Sequence, residues 1–455
     1  MMLINQIAVK DETPYWFDPN QKQISYAVKS LPKTTDVLII GGGYTGISTA
    51  LRLRHDNVRV ILVDGDRLCF NASARNGGMA LTGLNEGIFS VVKRFGTEKT
   101  RQYFNASLDS VDCVERLVNE GNIDCHFHRY GNLVAAYKPS HYKELVAEQT
   151  FSSEVLNYET RLVAPNDMKS EIGSSFYHGG LIDPLGVGLH PAKYIAGLVK
   201  MADAAGAELH ERVAAQRIEK RHGGFRVRTT SGTIETDHVV VATNGYTGNI
   251  VPWLQRRMIP VESFMIATEV LPQEISEKLI PNGRMIFDTK NFLYYFRLSP
   301  DGQRMLFGGR PRSPRFSIQK RAEFMRQDML QVYPQLKPFN IEYAWFGNCG
   351  FTFDRFPHIG QHDGLFYAMG YCGHGIAMAT YLGEEMAKMI LGEGDGSIFA
   401  ENPFVTVPFY RGKPWFKPLL HLYFDLMDRL PIELPWVSTI SNLYFRGYER
   451  LGKID

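Results

Sequence analysis

Apolar positions along this chain switch between two periods. Val37-Leu38-Ile39-Ile40 is an unbroken apolar run between Asp36 and three glycines, the pattern of a strand buried on both faces. Residues 43–55 carry Ile47, Ala50, Leu51 and Leu53 at helical spacing, and 58–63 form a second apolar run ending at Asp64. Strand, glycine turn, helix, strand predicts a βαβ unit. Between 97 and 120, Phe104, Leu108, Val111, Val114 and Val118 recur every three or four residues, which predicts a long amphipathic helix. Residues 122–183 predict only short strands and turns. A helix is expected over 192–205 and a strand over 208–213, followed by β runs ending in Val239-Val240-Val241-Ala242. Strands should fill 260–310, with turns at Pro281-Asn282-Gly283 and Pro300-Asp301-Gly302. A last βα unit runs from Leu365-Phe366-Tyr367-Ala368-Met369 through a glycine loop into a helix over 376–391. Residues 1–33 read as an arm on the surface, and 396–455 as a tail rich in proline and aromatics.

Gly41-Gly42-Gly43-Tyr44-Thr45-Gly46 fits G-x-G-x-x-G, and its context is that of a dinucleotide site. The pattern follows a buried strand and opens a helix, and Asp64 closes the second strand near the usual distance of about 20 residues. Gly41 permits the tight turn, Gly43 lets backbone approach a pyrophosphate, and Gly46 allows helix and strand to pack closely. The N–H groups around Tyr44 and Thr45 begin the helix and offer unpaired donors to phosphate. Asp64 would accept hydrogen bonds from ribose hydroxyls. The fingerprint alone does not separate FAD from NAD. No second G-x-G-x-x-G follows, and the small, polar loop Asn71-Ala72-Ser73-Ala74-Arg75-Asn76-Gly77-Gly78 could run beside one extended cofactor, which leans towards FAD.

Composition excludes several classes. Fifty Lys and Arg against forty-eight Asp and Glu leave a net charge of +2 over 455 residues, too balanced for binding nucleic acid through phosphate neutralisation. No stretch holds the eighteen apolar residues of a membrane-spanning helix, and the polar start argues against a secretory signal. The five cysteines, Cys69, Cys113, Cys125, Cys349 and Cys372, are odd in number and contain no C-x-x-C. Neither a disulfide scaffold nor a metal site is indicated, and a cytoplasmic enzyme with reduced thiols is the plain expectation.

On these motifs the chain resembles the D-amino-acid oxidase superfamily of FAD-dependent amine oxidoreductases, nearest its γ-glutamylputrescine oxidase-like branch. The resemblance spans about residues 34–392. It rests on D-V-L-I-I-G-G-G-Y-T-G at 36–46, A-S-A-R-N-G-G at 72–78, D-P and L-H-P-A-K-Y within 183–194, V-V-V-A-T-N-G-Y at 239–246, W-F-G with T-F-D-R-F-P-H-I-G within 345–360, and G-Y-C-G-H-G at 370–375. It implies an α/β fold: a discontinuous Rossmann-like FAD domain (34–100, 185–250 and 345–395) and a β-rich mixed α+β substrate domain (101–184 and 251–344), as in glycine and sarcosine oxidases. It further implies non-covalent FAD held by Gly41, Gly43, Tyr44, Thr45, Gly46 and Asp64. Arg75, Asn76, Gly77 and Gly78 would lie along the flavin, the Val213 backbone against the adenine, and Gly370, Tyr371, Gly373, His374, Gly375 and Ile376 at the pyrimidine end. Ala74 stands where glycine is usual and Cys372 where serine is common. Ala377 replaces a lysine that holds the substrate carboxylate in sarcosine-oxidase-type members, which disfavours a small α-amino acid. A covalent link through Cys349 is not supported by its offset from Thr352 and Asp354.

The expected reaction is oxidation of a primary or secondary amine to an imine, with O2 as acceptor. The alternatives are a dehydrogenase feeding a quinone or partner subunit, and a non-catalytic flavin scaffold. His374 could act by ring or by backbone. Tyr295 and Arg297 share a strand face; either Tyr295 packs the amine and Arg297 holds a distal carboxylate, or they are a core tyrosine and an outward arginine. Phe264, Phe351 and Phe353 line a pocket or belong to the core. In the tail, Trp415, Phe416, Leu419, Leu420, Tyr423, Phe424 and Met427 form an apolar stripe near Lys413, Lys417 and Arg429. A helix packed on the body is the expected reading, a homodimer contact the next. An in-plane membrane helix would need a more consistently basic polar face.

Overall fold

The computed structural model describes residues 13–17, 26, 30–311 and 315–430. Two eight-stranded sheets organise them. The first is built on the predicted βαβ unit. Strand Thr34–Ile40 pairs in parallel with Val60–Val63 on one side and Gly232–Val241 on the other. Leu365–Met369 and Glu208–His210 extend the parallel set outwards. The sheet is buried on both faces, so Val37, Leu38, Ile39 and Ile40 all lie inside. Helix Tyr44–His55 covers one face together with Pro191–Ala204 and Gly375–Leu391.

The second sheet runs, in spatial order, from Ile341–Phe351 through Ile259–Thr268, Met305–Gly309, Tyr295–Leu298, Met285–Asp288, Asn132–Ala135 and Gly180–Asp183 to Arg161–Val163. Its pairings are antiparallel except between Met285–Asp288 and Asn132–Ala135. The α/β class with a β-rich second unit is the one expected.

The expected boundaries differ from the structure in two places. Strand Ile341–Phe351 pairs along its whole length with Ile259–Thr268, so the chain leaves the second sheet after Phe351 and not at 345. The long helix spans Ile88–Glu120, bends where Gly96 takes a positive φ of 79°, and buries Tyr103, Val111, Val114 and Leu117 in the first sheet's core. A division at 100 therefore cuts a helix that belongs to the first unit. Helix Pro139–Leu156 lies where only short strands and turns were expected. Its buried positions, His141, Leu145, Ser152 and Leu156, are half polar, so its amphipathic signal is weak.

The arm is not confined to the surface. Trp16 is buried, and its indole Nε1 donates to the Asn76 carbonyl at 2.8 Å. The tail helix, Lys417–Arg429, packs by one face only: Leu419, Leu422 and Leu426 stay exposed. Residues 431–455 lie outside those described. Among the described residues no helix is long and apolar enough to cross a membrane.

Candidate functional site

The glycine turn and helix Gly375–Leu391 converge on one cavity of about 990 Å³. That is the upper end of the usual range for small-molecule sites, roughly 300–1,000 Å³. Its walls include Gly41, Gly43, Tyr44 and Thr45 from the turn and Tyr371, Gly373, His374, Gly375 and Ile376 from the start of helix Gly375–Leu391. Close packing of the two helices aims both N-termini at this space. A Cβ on Gly383 would come within 2.6 Å of the Thr45 carbonyl, so only glycine permits the approach. Thr49 Oγ1 donates to the Gly383 carbonyl at 2.8 Å, and Thr45 Oγ1 meets Tyr371 OH at 2.5 Å. The turn itself depends on Gly46, whose Cβ would lie 1.9 Å from the Gly41 carbonyl oxygen. Neither N-cap residue caps its helix through a side chain; Ser73 Oγ takes the Tyr44 N–H at 3.2 Å, and the other leading N–H groups stand at the positive end of each helix dipole.

Asp64 also lines the cavity. Its carboxylate accepts from Gly42 N at 2.7 Å and from Asp66 N at 2.8 Å, which holds the turn against the second strand. Burial pushes its pKa up against those two bonds. Arg75, Asn76 and Gly77 form the next stretch of wall. Two indoles fix this stretch from behind: Trp345 Nε1 donates to the Arg75 carbonyl and Trp16 Nε1 to that of Asn76, each at 2.8 Å. Tyr44 OH donates to the Ser73 carbonyl at 2.5 Å. Gly370 stands behind the wall, with its N–H donating to Asn244 Oδ1 at 3.0 Å. Val213 does not face the cavity: its N–H donates to the Asp64 carbonyl at 2.7 Å, and Ala214 and Ala215 line that part instead.

Two helix N-termini, a backbone-lined turn and an acidic residue at one end suit an elongated, doubly anionic nucleotide. The ring nitrogen Nδ1 of His374 is buried without a partner, which marks the other end as built around a missing polar group. Burial pulls the His374 pKa down to about 4, so the ring is neutral at ordinary pH. Five cysteines are free. Burial raises the Cys349 thiol and pushes that of Cys372 up to about 12, so neither is a thiolate. Cys372 Sγ donates to the Gly370 carbonyl at 3.1 Å. No cluster of metal-ligating side chains occurs among the described residues.

Tyr295 lines the cavity, shares a hydrogen bond with Ser263 Oγ at 2.8 Å and lies against Gly77. Arg297 corrects the expectation made for it. It is buried, and its Nη1 donates to the carbonyls of Gly78 at 2.6 Å and Leu189 at 3.1 Å. Both residues face the same glycine loop, as alternation requires, but the guanidinium is bound to backbone and reaches no open space. Phe264 belongs to the second sheet's core, and Phe353 packs on Tyr410 with ring centroids 5.2 Å apart; only Phe351 lines the cavity. Sequence reasoning missed Asn244, Glu262 and Arg310, which all line it. The one available signal for Arg310 was its place directly after Gly308-Gly309 at a strand end.

Comparison with known proteins agrees with this geometry. The family model described as FAD dependent oxidoreductase, DAO, matches residues 36–389. A probable oxidoreductase OrdL of Haemophilus influenzae is 32% identical over 388 residues, covering 84% of this chain and 88% of that protein. Gamma-glutamylputrescine oxidoreductase of Escherichia coli is 29% identical over 405 residues, covering 88% and 94%. Among solved structures, glycine oxidase from Geobacillus kaustophilus superposes with a TM-score of 0.68 at 20% identity, covering 83% of this chain and 99% of that one. L-proline dehydrogenase from P. horikoshii gives 0.66 at 19%, covering 81% and 96%.

Proposed function

The chain belongs to the DAO family of FAD-dependent oxidoreductases, and on that premise we propose that it oxidises an amino-acid-derived primary or secondary amine to an imine, with O2 as acceptor. The donor C–H and N–H give up two electrons and two protons; O2 takes them as H2O2, and water hydrolyses the imine to an aldehyde, releasing ammonia from a primary amine or the smaller amine from a secondary one. FAD, when bound, supplies the two-electron relay that no side chain can.

The chain's own residues bind, orient and exclude water. Backbone N–H groups at 43–46 would hold the phosphates and Asp64 the ribose. Arg75, Asn76 and Gly77 would flank the flavin, and the N–H groups at 373–376 would favour negative charge at its pyrimidine end. His374, neutral above about pH 4, contributes no positive charge of its own, which assigns that work to the helix end. Tyr295 and Phe351 would pack the amine, since both face the cavity. The cavity walls would limit the access of water to the reacting carbon. The observation that carries this reading is the single cavity joining the two helix ends. The cytoplasm is the compartment proposed, which the free thiols favour.

The test is anaerobic mixing of FAD-loaded protein with a panel of amines, γ-glutamyl polyamines included. Bleaching of the flavin band by amines is the expected result; bleaching only by hydroxy acids or NADH would refute it. Oxygen uptake against dye reduction then separates an oxidase from a dehydrogenase.

A further inference from the structure

Away from the flavin wall, the cavity has a lobe for which oxidation of a simple amine has no use. A row of directly paired residues leads to it across the second sheet: Tyr295 opposite Phe287, Phe287 opposite Val134, and Val134 opposite Leu181. Paired residues share a face, and all four line the cavity. The row crosses three strand spacings of about 4.8 Å, on the order of 14 Å, and beyond Tyr295 it is apolar. Beside its far end stand Asn132 and Asp183, paired with each other. Helix Pro139–Leu156 adds Glu148 and Ser152 to the same wall, one turn apart on one face.

This lobe is polar and incompletely bonded. Asp183 is held by three donors: Tyr158 OH at 2.5 Å, Leu185 N at 2.9 Å and the Thr82 hydroxyl. Glu148 has no such partner; no hydrogen bond or ion pair reaches its carboxylate among the described residues. Burial raises its pKa, and the charges of Asp183 and Glu144 push the same way. Neutral oxygens beside it are orphaned too. Asn132 is 3% exposed, and its Oδ1 is buried without a partner, as is Thr160 Oγ1 on the same wall. Ser152 is 5% exposed, and its hydroxyl makes no hydrogen bond among the described residues. The cations of the cavity wall are engaged elsewhere. Arg75 donates to the Phe70 carbonyl at 2.8 Å, Lys290 sits 3.9 Å over the Tyr294 ring, and Arg310 lies 5.2 Å from the centre of the Phe351 ring. A carboxylate and several oxygens left in this state are costly. The polar residues that weaken the amphipathic signal of helix Pro139–Leu156 thus form the wall of a site.

We propose that this lobe seats a protonated amino group of the substrate, remote from the C–N bond that is oxidised, with Glu148 and Asp183 as its counter-charges. An ammonium has three donors and no acceptor, which matches a set of oxygens that lack donors. The apolar row between the lobe and Tyr295 takes the connecting chain. The substrate class is then amines that carry a second, distal cation, which deepens the amine-oxidation reading and rests on it for the word substrate. Glu148 is a specificity-determining residue.

The experiment uses full-length, FAD-loaded protein and pairs of straight-chain α,ω-diamines and n-alkylamines of equal carbon number. Once the chain is long enough to span the apolar row, the half-saturating concentration for anaerobic flavin reduction should be roughly 10- to 150-fold lower for the diamine, as one charge-assisted bond provides. Glu148→Gln should bring the two values together. Ser152→Ala should narrow the gap in the same direction, and it keeps the test decisive if Glu148→Gln does not fold. Spermidine and γ-glutamylputrescine, run beside the diamines, tell a polyamine from an aminoacyl conjugate as the source of the ammonium. Two readouts need no turnover. In calorimetry, octylguanidinium should bind the parent protein and not Glu148→Gln. Without ligand, Glu148→Gln should melt at a higher temperature than the parent at neutral pH, because it removes an unpaired buried charge. A lower melting temperature would make Glu148 a structural residue and overturn the inference. Equal half-saturation for both amine classes at every length, with amines still bleaching the flavin, also overturns it and leaves the amine reading standing. Glu148-dependent octylguanidinium binding in a protein that no amine reduces supports the cation seat and sinks the amine reading.

Discussion

The two ends of the cavity are made of different material. At the end built by residues 41–46 and 64 the wall is mostly backbone, and the Asp64 carboxylate accepts one backbone N–H on each oxygen. At the end beneath the second sheet the wall is side chains from separate strands: Ser263, Tyr295, Arg310 and Cys349. Backbone recognition needs glycine and a helix end within a few consecutive residues. Side-chain recognition needs only that distant strands come together, so it can change from protein to protein while the other end stays constant. The first end suits what a whole family shares, the second what distinguishes its members.

Four substitutions sharpen that contrast, the severest first. Gly46→Val places a side chain where even a Cβ lies 1.9 Å from the Gly41 carbonyl; purified protein should carry no flavin, read from its visible absorption. A yellow Gly46→Val would mean that the turn can open without loss. Asp64→Ala should weaken FAD binding by roughly 10- to 150-fold, for a charge-assisted bond of ~1.5–3 kcal/mol, measured by flavin titration. Unchanged affinity would show that the ribose is held elsewhere. Arg297→Met leaves two buried carbonyls without their donor and should cost about 1–3 kcal/mol of stability in urea unfolding. A variant as stable as the parent would show that these two bonds contribute nothing net.

The smallest effect concerns pH. The folded state holds the His374 ring neutral down to about pH 4, while an unfolded histidine protonates near pH 6.5. Between those values the unfolded chain binds more protons, so stability falls as pH drops from about 6.5 towards 4 and is unaffected above. His374→Gln should flatten that slope in melting temperature against pH. Breaks in the rate profile between pH 7 and 9 should stay where they are; a break that moved would give the ring a titrating role in turnover.

Much of the first sheet and its cofactor end could be read directly. The run Val37–Ile40, the glycine turn and Asp64 are local signals, and each lies where its local physics puts it. The helix over Pro139–Leu156 could not be read, because Ser152 and His141 occupy half of its buried face. The change of sheet near 345 was also hidden, because Ile341–Phe351 is one continuous strand whose pairing with Ile259–Thr268 depends on residues some eighty positions away.

By itself, then, the sequence determined that this protein presents a glycine turn opening one helix and a glycine loop opening another, since both follow from glycine placement within short contiguous segments. Which arginine meets the cavity was decided only by the tertiary structure. Alternation along a strand assigns Arg297 to a face but says nothing of what covers that face, and here the carbonyls of Gly78 and Leu189, from two distant segments, take its guanidinium. Arg310 is left without such a cover because its strand ends at the cavity wall, a position set by long-range packing and by no neighbour in the chain.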